Sequence, residues 1–517
     1  MDKKSRDLIN HKIKKRSELK KILGKKNDRT FKVIMCHGTF DIVHPGHIRH
    51  LLYAKSKADK LIVSITTDKF ITKDKMRPFV PEAMRAFNLA ALQMVDYVLI
   101  DNDPTPLKNI QILEPDYYAK GFEYGKDSPP PKTQEEINIL KKFGGEIIFT
   151  PGDIVYSSSK IISDQKPNIA LEKMLFLMDA EGISFADLKN SLNLIKNIKV
   201  HVVGDTIVDS YTKCSMIGGM TKTPTMSVKF ENKLDFLGGA GIVAKHLESA
   251  GAKVTFTTLV GKDDYAEFVK KDLQKTRIKL NLIIDKNRPT TNKNAVVVND
   301  YRLLKIDTLE NNIISQEIIS KFSGLINKTK SEIVVFSDFR HGIFNKSTIP
   351  IFSKNIPSDS FRVADSQVAS RWGNILEFQN FDLITPNERE ARFSLGDQDS
   401  VIRPLAKQLR DESKCKTLIL KCGSNGLITY VNDSATDPRA FFNLDSMVDN
   451  LIDPVGAGDA LLAYSSLILK ATKNPIISAI IGNIAAAIEC EHDGNYPVSS
   501  SLIENKLTSL ESKSKFI

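Results

Sequence analysis

A chain of 517 residues is too long for one hydrophobic core and predicts two or three domains. Its hydrophobic share of 41% suits globular cores, and no run of about 18 apolar residues offers a membrane span. The net charge of +11 is concentrated: residues 1–30 hold 12 Lys/Arg against 4 Asp/Glu, a surplus of 8 that leaves +3 for the rest and argues against a nucleic-acid-binding face.

That leader, Met1 to Lys26 above all, lacks a signal-peptide core. It reads as a basic extension over 1–30: a solvated amphipathic helix, or a contact for an acidic partner or membrane surface. It carries no catalytic motif, so its deletion is expected to leave activity intact. The five cysteines (36, 214, 415, 422 and 490) form no CxxC and read as free thiols in a reducing, cytoplasmic compartment.

Residues 31–163 alternate strand and helix. Phe31 to Met35 is a short buried strand, and Lys60 to Ile65, Tyr97 to Ile100, Tyr117 to Ala119 and Glu146 to Phe149 follow as strands. Helices are predicted over Glu82–Met94 and Thr133–Phe143. The alternation argues a parallel, doubly wound sheet, whose ligands sit at the carboxyl ends of its strands. There the first strand runs into Cys36-His37-Gly38-Thr39-Phe40-Asp41-Ile42-Val43-His44-Pro45-Gly46-His47. Amides at a helix N-terminus attract phosphate. His44 and His47, three apart, share one side of the first turn and can donate to a triphosphate as charge builds on departing pyrophosphate.

Residues 164–195 read as a helical connector, with Ser184 capping a helix to Asn197 and Asp187 completing a capping box. A second α/β domain, 196–517, starts with the strand Val200–Val203 and Gly204-Asp205. Phe236-Leu237-Gly238-Gly239-Ala240-Gly241 opens a helix to about Ser249, and Val254 to Val260 is the next strand. Further strands end in Ser337-Asp338, in Pro386-Asn387-Glu388-Arg389-Glu390 and in Cys422-Gly423-Ser424-Asn425-Gly426. The sharpest motif is Asp453-Pro454-Val455-Gly456-Ala457-Gly458-Asp459-Ala460. Its small residues let amides near Ala457 and Gly458 approach a γ-phosphoryl group, and Asp459 at the helix start can take a proton from an attacking sugar hydroxyl.

These motifs carry a resemblance. Residues 31–163 are similar to the cytidylyltransferase-type nucleotidyltransferases, through Gly38-Thr39-Phe40-Asp41 and His44-Pro45-Gly46-His47. Within them the segment is most similar to the adenylyltransferase half of the bifunctional heptose-phosphate kinase/adenylyltransferases. The match continues through Met76-Arg77-Pro78, Glu82, Arg85, Val95 to Val98, Asp116 to Tyr124 and Ser157-Ser158-Ser159-Lys160. Residues 196–500 resemble the ribokinase-like sugar kinases, most closely the kinase half of the same enzymes. The matching stretches are Gly204-Asp205 with Asp209, Gly238-Gly239-Ala240, Pro289 to Lys293, Lys305-Ile306-Asp307, Ser337-Asp338, Asn387 with Glu390, and Gly456 to Asp459. The halves stand in the reverse of the usual order.

The resemblance implies the site. His44 and His47 would be catalytic in the first half. Gly38, Thr39, Phe40, Asp41, Ser157, Ser158 and Ser159 would hold nucleotide, and Lys73, Lys75 or Arg77 would add positive charge. In the second half Asp459 would be the base. Asn387, Glu390, Gly423, Gly426, Gly456, Ala457 and Gly458 would lie on the nucleotide, and Asp205, Asp209, Gly238, Gly239, Lys293 and Asp307 on the sugar. ATP or CTP would be the substrate and Mg²⁺ the cofactor, with no resident protein metal site. The expected partners are an NTP, a sugar phosphate and a second copy of the chain.

The pattern is also broken. The asparagine that the family places after Gly-Gly-Ala-x is Ile242, and a basic residue expected after Lys293 is Asn294. Asp-Pro-Lys becomes Asp365-Ser366-Gln367, Tyr-x-Lys-Gly becomes Phe339-Arg340-His341-Gly342, and Asp153 to Tyr156 replaces an arginine before the serine run. The losses in the second half fall on the sugar side. The expected function is therefore synthesis of a nucleotide-activated sugar, nearest to ADP-heptose, with an altered sugar or a weakened kinase. Its rival is a CDP-forming polyol-phosphate cytidylyltransferase fused to a non-catalytic, binding or dimerising kinase-like domain.

Overall fold

The structure is a computed structural model that describes residues 7, 9–71, 78–121, 130–150, 170–218, 226–299, 301–367, 373–431 and 441–514. The chain divides into two compact units, Met1–Ile169 and Ala170–Phe516.

In the first unit β1 (Val33–Gly38), β2 (Lys60–Thr66), β3 (Tyr97–Asp101), β4 (Tyr117–Gly121) and β5 (Glu146–Thr150) form one parallel sheet in the order β3-β2-β1-β4-β5. Val33 to Cys36 and Leu61 to Ile65 are buried without alternation, as parallel strands covered on both faces must be. The winding reverses beside β1, so the β1/β4 edge is the switch point and the His37–His47 turn leaves from it.

Two expectations need correction. The helix beginning at Glu82 ends at Ala90, not Met94. Leu92 and Val95 instead donate to Leu89 and Leu92 in tighter turns, which bring Asp96 to the Leu61 amide at 2.8 Å. The leader, in its described part, is not a solvated extension. Its helix Arg16–Leu23 buries Leu19 and Leu23 in the same cluster as Val33, Met35 and Ile62. Lys12 to Lys14 lie along β3, exchanging backbone bonds with Val98 at 2.9 Å. Arg16 bonds Asn109 and pairs with Asp103 and, at 3.1 Å, with Asp101, whose side chain is fully buried. The basic surplus of the leader thus serves partly as counter-charge for carboxylates at the end of β3.

The second unit has two sheets. Nine strands run β10 (Lys279–Ile284), β9 (Lys253–Val260), β6 (Lys199–Gly204), β13 (Ile333–Asp338), β14 (Phe361–Ser366), β15 (Leu383–Ile384), β16 (Thr417–Lys421), β17 (Leu427–Tyr430) and β18 (Phe441–Leu444). They are parallel as far as β16 and antiparallel after it. A smaller sheet has the order β12 (Tyr301–Thr308), β11 (Asn292–Val298), β7 (Thr206–Gly218) and β8 (Ser227–Gly239). The helices Ala457–Thr472 and Pro475–Cys490 fill the main core with residues such as Leu462, Tyr464, Ile481 and Ile484. The described part of the segment read as a connector, residues 170–195, belongs to this core as well: Met174, Met178, Leu188 and Leu192 are buried in it. The Ser184–Asp187 capping box forms as expected, on a helix of Phe185–Leu194. The five cysteines are all free and buried, and no described helix is long and apolar enough to cross a membrane.

Candidate functional sites

In the first unit His44 is the N-cap of the helix Pro45–Lys55, and its Nδ1 accepts the Gly46 amide at 3.2 Å. The rings of His44 and His47 stack with centroids 3.9 Å apart, so the i, i+3 spacing brings both imidazoles onto one side of the first turn. Phe40 turns the chain with φ of 48°, and its ring lies 5.0 Å from that of His47. A side chain at Gly38 would crowd the Phe40 ring, 3.1 Å from the position of its Cβ.

Burial, with His44 and His50 adding repulsion, pushes the His47 imidazole down to about 4; burial and Arg49 lower His44. Both rings are therefore neutral at pH 7, and each offers one N–H donor. An incoming triphosphate favours the charged form of either ring.

Asp41 is 2% exposed and accepts the amides of Phe79 and Val80 at 2.9 and 2.7 Å. It braces the loop after β2 through those two bonds. Fully buried Arg85 ties the same region together, donating to Thr39 O, to Val80 O at 2.9 Å, to Thr66 O at 2.8 Å and to Asp68 at 2.8 Å. His50 links the helix to β5 through Thr150 at 2.8 Å. Lys73, Lys75, Arg77, Ser157, Ser158 and Ser159 lie outside the described residues.

In the second unit the register of the small sheet sets Lys293 opposite both Asp209 and Asp307, so three residues read as sugar contacts form one row across β7, β11 and β12. Side chains at paired positions share a face. Asn495 donates to Asp209 at 2.9 Å. Gly238 is forced by this row: a Cβ there would lie 1.9 Å from Asp209 Oδ2. Gly239 has φ of 59° and its Cβ would lie 2.5 Å from Asp205 O. These two glycines thus make room for the aspartates. Asp205, at the β6/β13 switch point, accepts the amides of Phe339 and His341 at 2.9 and 3.3 Å and holds that loop.

The broken positions have structural occupations. Ile242 is fully buried, and Asn294 accepts Thr212 at 2.8 Å. Arg340 pairs with Asp338 and Glu377 at 2.8 Å each.

The stretch read as the phosphate side is the turn before the helix Ala457–Thr472. Gly456 has φ of 86°, and a Cβ there would lie 2.5 Å from Glu489 Oε1. Asp459 is 8% exposed; burial, then Asp365, push its carboxyl up to about 8, with Lys421 opposing. Asn387 and Glu390 cap the helix Glu388–Leu395 reciprocally, with backbone-to-side-chain distances of 2.7 and 2.9 Å. Gly423 and Gly426, with φ of 58° and 83°, turn β16 into β17. Lys421, Asn495 and Glu489 were not singled out from the sequence. Lys421 carries a signal all the same: a lysine closing a buried apolar strand at its carboxyl end.

Comparison with known proteins agrees with this division. A family model of pfkB family carbohydrate kinases matches residues 197–501, and a cytidylyltransferase-like model matches 35–164. A curated relative from Campylobacter fetus subsp. fetus, named bifunctional protein HldE, is 28% identical over 316 residues, covering 60% of this chain and 66% of its own. The protein of the same name from Sulfurimonas denitrificans is 25% identical over 60% of this chain and 65% of its own. Its namesake in Geobacter metallireducens is 34% identical over 138 residues, 26% of this chain and 27% of its own. This chain thus spans just under two thirds of the first two. Phosphofructokinase-2 from Escherichia coli in complex with fructose-6-phosphate shares the fold at a TM-score of 0.50 and 15% identity, over 61% of this chain and 99% of that one.

Proposed function

The chain belongs to the pfkB family of carbohydrate kinases, and on that premise we propose that it makes a nucleotide-activated sugar through two separate sites. The kinase unit phosphorylates a sugar or sugar phosphate from ATP. The first unit transfers a nucleotidyl group from ATP, or from CTP, to a sugar 1-phosphate and releases pyrophosphate. ADP-heptose is the nearest product, the cytoplasm its place of synthesis. The observation that carries the reading is that one chain holds both the stacked His44–His47 pair on a helix N-terminus and the buried Asp459 behind a glycine turn.

In the kinase unit the ionised form of Asp459, a minor fraction at pH 7 for a carboxyl pushed up to about 8, takes the proton of the sugar hydroxyl, while the amides of Ala457 and Gly458 face the transferring phosphoryl group. Asp209, Lys293 and Asp307 orient the sugar. Among the described residues no three His, Cys, Asp or Glu gather as a metal site. The arrangement does fit a cation carried by the nucleotide: the charges of Asp365 and Glu390 both act on one Lys421, and Asp459, its carboxyl pushed up to about 8, gains from any cation that favours its ionised form. Glu390 would hold Mg²⁺, which offsets phosphate charge when bound.

In the first unit the sugar phosphate attacks the α-phosphorus in line, and no covalent intermediate is needed. His44 and His47 donate to the phosphates as charge moves to pyrophosphate. A homodimer is part of the reading. The small sheet exposes Phe230, Tyr301, Leu304 and Ile306 on one face of its two edge strands, an apolar face of the kind that partners cover.

The kinase assignment is tested by ADP release with ATP and a panel of sugars and sugar phosphates, beside ATP binding by calorimetry. Asp459→Asn abolishes ADP release and keeps ATP binding. Because Ile242, Asn294 and Gln367 replace polar or basic residues, heptose 7-phosphate is turned over less efficiently than by a typical family member. ADP release undiminished in Asp459→Asn sinks the assignment, and no ATP binding at all returns the unit to a scaffold.

A further inference from the structure

Lys421 closes β16, its side chain 15% exposed and its ammonium 3.0 Å from Asp365 Oδ1. A Cβ built on Gly458 would lie 3.2 Å from Lys421 Nζ, so the ammonium stands against the first turn of the helix Ala457–Thr472, where amides gather for an anion. The backbone fixes it there: the Lys421 amide donates to Pro386 O at 2.9 Å, and Lys421 forms a parallel bridge with Asn387. Burial lowers the ammonium's pKa, but Asp365, Glu390 and Asp459 raise it by more, so it is charged at neutral pH. Asp365 does not depend on Lys421 alone, since Thr385 donates to the same oxygen at 3.0 Å. The position where the family pattern puts a lysine, at the end of β14, holds Gln367, whose amide donates to Asp338 O at 2.9 Å.

We infer that Lys421 is a further catalytic residue of the kinase unit, an ammonium that passes from Asp365 to the transferring phosphoryl group at the Gly456–Gly458 turn. The inference rests on the kinase reading above. The sugar oxygen bonds to the γ-phosphorus, and the bond from that phosphorus to the β–γ bridging oxygen breaks. The bridging electron pair leaves with ADP, and the hydroxyl proton goes to Asp459. Lys421 transfers no proton; its charge offsets that of the equatorial oxygens, which form a charged partner for a lysine as a carboxylate does.

A contact with the γ-phosphoryl group distinguishes ATP from ADP. Calorimetry on the full chain with Mg²⁺ therefore compares the two nucleotides for the wild type, Lys421→Met, Lys421→Arg and Lys421→Met/Asp365→Asn, the last removing the carboxylate that pairs directly with Lys421. Both methionine variants should lose roughly tenfold or more in ATP affinity with ADP affinity held, and ADP release on the sugar panel should fall in step. Lys421→Arg should recover part of both. A double variant that keeps the wild-type ratio of ATP to ADP affinity overturns the inference, as does a wild type that binds neither nucleotide. An ATP preference that disappears in the variants, in a protein releasing no ADP with any sugar, supports the Lys421 contact and sinks the kinase reading separately.

Discussion

Removal of residues 1–23 deprives the first unit of Leu19 and Leu23, which are 0% and 3% exposed. Losing a buried leucine costs about 2–5 kcal/mol, so the two together approach the roughly 5–15 kcal/mol by which a domain is stable at all. The deletion also takes Arg16 from Asp101. Burial already pushes that carboxyl up to about 6, and without the guanidinium it goes higher. A truncated first unit is therefore expected to be unfolded or marginal at 37 °C, while the kinase unit keeps its own cooperative transition. Calorimetric unfolding of the full chain and of the truncation measures this directly. Leu19→Ala is the milder version. At about 3 kcal/mol, and roughly 2–4 °C per kcal/mol for a unit of this size, its first-unit transition should fall by about 10 °C. A truncated chain whose two transitions and pyrophosphate release match the full chain refutes the packing argument.

Two further outcomes are expected. His37, half-buried, and His201, fully buried, are both pushed down to about 4, so the unfolded chain binds more protons than the folded one below pH 6.5. Their contribution is present above pH 6.5 and lost as pH falls toward 4. At pH 5 each costs about 2 kcal/mol, seen as a lower urea midpoint that His201→Gln makes less steep. Gly238→Ala drives a methyl into Asp209 Oδ2, 1.9 Å away. It should raise KM for the sugar about tenfold, with ATP affinity unchanged; an unaltered KM would show that Asp209 does not face the substrate.

The sequence was most legible where function needs a local pattern. His44 and His47 sit at helical spacing in one turn, and Gly456 to Asp459 set a glycine turn and a carboxylate at a helix start. Neither arrangement needs the rest of the fold to be recognised. The leader misled because Leu19 and Leu23 stand four apart among lysines, and nothing local says that β1 and β2 bury that stripe. Asp205, placed on the sugar by the resemblance, also accepts two loop amides 134 and 136 residues away, a partnership that no local pattern shows. Lys421 was passed over for the same reason. Its meaning comes from Asp365 and Gly458, which adjoin it only once the strand order sets β16 two places from β14.

The most direct test of the central claim is pyrophosphate release by the purified chain, given ATP or CTP in turn with a panel of sugar 1-phosphates. The account predicts release with at least one sugar 1-phosphate. His44→Ala and His47→Ala should each reduce it by roughly 10²-fold or more, whereas Asp459→Asn leaves it unchanged. Near-normal release from the His44→Ala/His47→Ala double variant, or none from the wild type with any pair, contradicts it.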